Sequence, residues 1–189
     1  MFVLKSKAEW VVALALAVLM AVTRIHHFGI GAVAPDASTG VFFLAGLLVA
    51  SPWLLAALLI EAVLLDGIAI GFMNVANACM SSGYLLLAPA YGALWMAARV
   101  LRGAEKLDLL NAGKFVCLVV GGTAAFFIVS NLGYFLGSEY FSLGLGEYAA
   151  RVMHYFPMYL TVTLFYAAFG VAAYLAARRI GMLEAAAAR

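Results

Sequence analysis

The sequence predicts an all-α integral membrane protein: a bundle of six transmembrane helices forming a single domain over residues 1–189. Two observations predict it. Hydrophobic residues make up 67% of the chain and charged residues only 11%, with a mean hydropathy of +1.08. Soluble domains are nearer half apolar and a quarter charged, so most of this surface is expected to face lipid. The apolar residues also fall in runs of helical length, separated by clusters of Gly, Pro, Ser and charge. These runs are too long and too many for an N-terminal signal peptide, and no solenoid-length repeat interrupts them.

The first helix is read over 8–25. It is apolar except for Glu9, carries Trp10 suited to the membrane interface, and ends near Arg24-Ile25-His26-His27. Gly29, Gly31, Pro35, Asp36 and Ser38 then mark a substantial loop. Helix two, read over 38–50, rises only about 20 Å at 1.5 Å per residue, against a hydrocarbon core of about 30 Å. It must therefore be tilted or packed inside the bundle. Ser51-Pro52-Trp53 forms a tight turn whose proline is acceptable in the first turn of helix three, 52–72, which contains Glu61 and Asp66.

Helix four, 75–101, opens on a stretch unusually polar for a membrane segment: Asn74, Asn77, Cys79, Ser81, Ser82 and Tyr84. A kink or break is expected at Pro89. A charged loop with Arg102, Glu105, Lys106 and Asp108 leads to helix five, 111–136, where Gly121-Gly122 allows close packing. Helix six is read as one long element over 147–180, with Pro157 near its start.

Six spans put both termini on one side. Nine of the eleven Lys and Arg residues fall at the termini or in the connection between helices four and five, and only Arg24 and Arg151 lie at the other end. By the positive-inside rule, the termini are cytoplasmic. With that orientation the uncommon polar residues crowd the outer half: Arg24, His26, His27, Asp66, the 74–84 stretch, Asn131, Tyr134, Glu139, Tyr140, Glu147, Arg151, His154 and Tyr155. Ionisable groups at membrane depth are costly unless paired or facing a cavity. The pattern fits an outward pocket for a sizeable, partly apolar ligand, or helix ends capped at the headgroup layer.

Several residues admit two readings. Asp66 can pair with Arg151 or accept hydrogen bonds from a ligand, whereas Glu61, lying deeper, reads as a protonated or hydrogen-bonded packing residue. His26 and His27 point about 100° apart on a helix, so at most one could ligate a metal or haem. Ala13, Ala17 and Ala21 form a smooth stripe, either for packing within the bundle or for docking a partner membrane protein. The two cysteines, Cys79 and Cys117, make no disulfide framework, and the net charge of +2 with no basic aromatic tract gives no reason to invoke nucleic acid. No metalloprotease, CxxC, P-loop or nucleophile-elbow motif is present, so a hydrolase or kinase is not expected.

Six helices in this length, the loop after helix one, the alanine stripe and the polar outer half together resemble the substrate-binding S-components of energy-coupling factor (ECF) vitamin transporters. The segments His26-His27, Leu64-Leu65-Asp66-Gly67 and Asn74-Val75-Ala76-Asn77-Ala78-Cys79-Met80-Ser81-Ser82-Gly83-Tyr84 resemble the BtuM family of vitamin B12 transporters. That resemblance implies an S-component-like fold and uptake of cobalamin across the bacterial inner membrane. It implies Cys79 as the ligand of the corrinoid cobalt, and electron donation by such a thiolate adds the expectation that Cys79 decyanates cyanocobalamin. Asp66, Tyr84, Asn77, His27 and Arg151 would line the corrin pocket, and a shared ECF energising module would dock on the Ala13, Ala17 and Ala21 face. The competing expectation is a small membrane oxidoreductase using haem or the Cys79 thiol.

The orientation is checked by cysteine accessibility in intact cells. A cysteine introduced at Ser138 is expected to label from outside, and one at Gly103 only after permeabilisation. The reverse pattern would overturn the outward pocket.

Overall fold

A computed structural model describes residues 4, 6–27, 35–73, 82–102, 109–137 and 144–181. Within them the chain is all-helical. Helix α1 spans Lys7–His27; α2 spans Ser38–Leu44 and runs on as a π-helical turn, Ala45–Val49; α3 spans Pro52–Phe72. A 3-10 turn, Ser82–Leu86, leads into α4, Leu87–Arg99, followed by α5 (Leu109–Gly137), α6 (Leu145–Met153) and α7 (Phe156–Arg179). Three of these, α3, α5 and α7, are long and apolar enough to cross a membrane, which marks the chain as a membrane protein.

The short helix α2 is the centre of the fold. Every residue from Ser38 to Gly46 is buried, with Phe42 and Phe43 fully so, because α1, α4 and α7 all pack against it. A helix apolar all round belongs inside a bundle. Its π-turn ends on Ala50 in the left-handed region (φ 52°), Ser51 is extended, and Pro52 then opens α3 in the first turn, where a missing N–H costs nothing. Gly46 is what lets α4 come close, since a Cβ there would collide with the backbone carbonyl of Trp95. Of the glycine pair expected to aid packing, Gly122 faces Ala97 and Leu94 on α4, whereas Gly121 has open space.

Two elements differ from the sequence reading, both at prolines. Pro89 lies in the first turn of α4, the break expected there, so α4 begins at Leu87, and the 3-10 turn that precedes it packs Gly83 against Gly133 of α5. Helix six is two helices. Pro157 would clash with the carbonyl of Met153 in a continuous helix, so the chain turns at His154 and Tyr155 and restarts with proline in the first turn of α7.

The outward surface is apolar, with Leu14, Ile60, Phe72, Phe165 and Phe169 all more than half exposed, as a lipid-facing wall requires. On α1 the outward stripe is Trp10, Leu14, Val18 and Val22, whereas Ala13 is buried against the core and Ala17 and Ala21 are half-buried.

The close approach of α4 to the π-turn is tested by Gly46→Ala, which is expected to lower stability by about 1–3 kcal/mol through overpacking. Gly121→Ala, facing open space, is expected to be neutral or stabilising by up to about 1 kcal/mol from helix propensity. Thermal unfolding in detergent micelles distinguishes the two.

Candidate functional site

One guanidinium organises the polar residues at the C-terminal end of α1. Arg24 is 7% exposed, and all three of its nitrogens donate to named partners. Its Nε and Nη2 reach Oδ1 and Oδ2 of Asp66 at 2.6 Å each, a two-pronged pairing that matches the planar fork to the carboxylate. Its Nη1 donates to Ser38 Oγ (2.9 Å), the Tyr91 hydroxyl (3.1 Å) and Asp36 Oδ2 (3.3 Å). Tyr84, on the 3-10 turn, donates its hydroxyl to Asp66 Oδ2 at 2.6 Å.

The start of α2 is built onto this cluster. Asp36 Oδ1 accepts from both the Ser38 amide and the Ser38 hydroxyl, so it caps the first turn while its other oxygen meets Arg24. Thr23, one residue before Arg24, accepts from the Ala37 amide and donates to the Leu19 carbonyl. Tyr166 of α7 donates to the Pro35 carbonyl at 2.8 Å, and the Thr163 hydroxyl, which donates to the Tyr159 carbonyl, is hydrogen-bonded to the Thr39 hydroxyl at 2.8 Å. Tyr91 is buried by stacking on Phe42, ring centroids 4.0 Å apart, with the Phe126 ring tilted against it at 4.8 Å. The cluster thus joins α1, the start of α2, α3, the 3-10 turn and α4, with α7 added through Pro35 and Thr39.

Of the residues the sequence singled out, the structure brings two together, Asp66 and Tyr84. The cation facing Asp66 is Arg24. Arg151 pairs instead with Glu147 on its own helix at 3.0 Å, both side chains more than half exposed. Cys79 and Asn77 lie outside the described residues, as does the His27 side chain. Cys117 is exposed on α5. Among the described residues, no group of three His, Cys, Asp or Glu side chains comes together as a metal site would require.

Sequence reasoning missed Arg24 as a partner, although the signal was present. An arginine inside the end of an apolar helix needs a carboxylate at its own depth, and Asp66, near the end of α3, was the other uncompensated charge. No protein-family model and no characterised protein matches this chain.

Breaking a buried pair by removing one partner leaves the other charge uncompensated. Asp66→Asn is therefore expected to cost about 3–5 kcal/mol of stability. Tyr84→Phe, losing one hydrogen bond to a charged group, is expected to cost about 1.5–3 kcal/mol. Arg151→Ala, at an exposed pair, should stay within about 0.5 kcal/mol of the parent, all three read by thermal unfolding in detergent.

Proposed function

We propose that this chain is a six-span membrane carrier that binds cobalamin in an outward-facing pocket and takes it up across the bacterial inner membrane, with both termini cytoplasmic. The observation that carries the reading is the 2.6 Å bond from Tyr84 to Asp66. These two residues flank the polar 74–81 segment in the chain, and the bond, locked by Arg24, draws the two flanks together. The same segment carries the resemblance to cobalamin transporters, and its Asn77 and Cys79 are the cargo contacts of this reading, with His27 and Arg151 assigned to the pocket by the same resemblance.

Cys79 is the chemical centre of the proposal. A thiolate is a soft ligand suited to a transition metal, and coordination itself favours loss of the thiol proton. It occupies one axial position of the cobalt, displacing the lower base, and its electron donation weakens the bond to an upper cyanide, which leaves as cyanide ion. Docking of a shared energising module belongs on α1 beside Ala17 and Ala21, Ala13 being taken up by internal packing.

Protein purified after growth with cobalamin is expected to carry a corrinoid spectrum and to support growth of a B12-dependent strain lacking its own transporter. Cys79→Ala should lose the thiolate–cobalt absorbance and the release of cyanide, while Cys117→Ala keeps both. An unchanged spectrum in Cys79→Ala would remove the cobalt-ligand assignment, and a Soret band in the parent would point to a haem protein instead.

A further inference from the structure

Glu61 is the tenth residue of the 21-residue helix α3. At 1.5 Å per residue it lies about 14 Å from one end and about 17 Å from the other, close to the middle of a hydrocarbon core of about 30 Å. It is half-buried, on the rim of the face that Leu54, Leu58, Ala62 and Leu65 turn inward, with Ile60 and Leu64 exposed on the other side. Among the described residues it has no hydrogen-bond or ion-pair partner.

The elements packed against α3 leave it that way. They are chiefly α1, the π-turn and α4, and the 3-10 turn reaches α3 through Tyr84, whose hydroxyl is held by Asp66. Of the described charged and titratable groups on α1, Lys7 sits in the first turn, Glu9 pairs with Arg102, and Arg24 is committed to Asp66 and Asp36. The π-turn has none. On α4, Tyr91 belongs to the Arg24 cluster and the Arg99 guanidinium lies over the Trp95 ring. Asp66, on α3 itself, is five residues on and therefore about 140° around the helix from Glu61.

A carboxylate at this depth with no cation beside it is strongly disfavoured, so the resting form is the neutral acid. It ionises only when water reaches it, which is what alternating access provides to groups near the midplane. We propose that Glu61 is a reversible proton-binding site at the centre of the membrane, through which a proton gradient drives the carrier when it works without a shared energising module. The coupling rests on the transport reading above, whereas the proton site rests on Glu61 alone.

Dicyclohexylcarbodiimide tests the site in native membranes. A protonated carboxyl adds across one C=N bond, its proton passing to nitrogen and its oxygen to carbon, and the adduct rearranges to a stable acylurea with no leaving group. Peptide mass mapping is expected to find Glu61 modified in acid buffer and several-fold less in alkaline buffer, Asp66 unmodified, and the adduct absent from Glu61→Gln. An unmodified Glu61 in every buffer, or labelling that does not change with pH, overturns the proposal. Coupling is read in proteoliposomes. An inward acid gradient should speed cobalamin uptake several-fold in the parent and leave Glu61→Gln unaffected, although that variant binds cobalamin with the parent spectrum. A Gln variant that responds like the parent overturns the coupling. Failure of the parent to bind cobalamin sinks the transport reading and the coupling with it, and the labelling still decides the proton site.

Discussion

Arg24 cannot remain charged inside an apolar bundle without carboxylates, and the arrangement of this fold supplies them. Desolvating a guanidinium is expensive, and only good geometry with further hydrogen bonds returns that cost. Here Asp66 takes two of its nitrogens and Ser38, Tyr91 and Asp36 share the third. The two-pronged pairing is directional as well as strong. Sliding α1 by one helical turn, about 5.4 Å, along α3 would break both bonds at once, so the pair fixes the register of the two helices.

That register is passed on to the centre of the bundle. Asp36 holds Arg24 with one oxygen and caps α2 with the other, so the first turn of the buried helix forms where α1 ends. From there α2 runs into the core with no polar side chain beyond Thr39, and that hydroxyl is met by Thr163 of α7. The rest of its packing is shape: Phe42 stacks on Tyr91, and Gly46 admits the backbone of Trp95. A short helix buried on every side has to be surrounded by longer ones, which explains why the surface of α1, α3 and α7 is left apolar for lipid.

Composition and run length made the helical class legible, and Pro52 marked the start of α3 because a proline at that position has one comfortable place, the first turn. Pro89 was legible by the same rule as a kink or break, and it opens α4. Pro157 was not: inside one long apolar run it also opens a helix, because hydropathy reports burial in lipid and is blind to the backbone break that a missing N–H imposes. At the site, Asp66 and Tyr84 stood out as polar groups in apolar surroundings. Their common partner did not, since the pairing of Arg24 with Asp66 spans forty-two residues and depends on how helices pack, which no local pattern encodes.

The two acids of α3 show how position alone separates their roles. They are five residues apart, on opposite flanks of the inward face, so the packing of α1 that delivers Arg24 to Asp66 delivers nothing to Glu61. Asp66 is therefore held by a cation that cannot leave without leaving a bare charge behind. Glu61 has no such constraint and must be neutral wherever water is excluded. A helix carrying one locked carboxylate and one carboxylic acid without a partner among the described residues is anchored at its end and sensitive to hydration at its middle. Motion of the surrounding helices can then change the protonation of Glu61 without disturbing the cluster that holds the bundle in register.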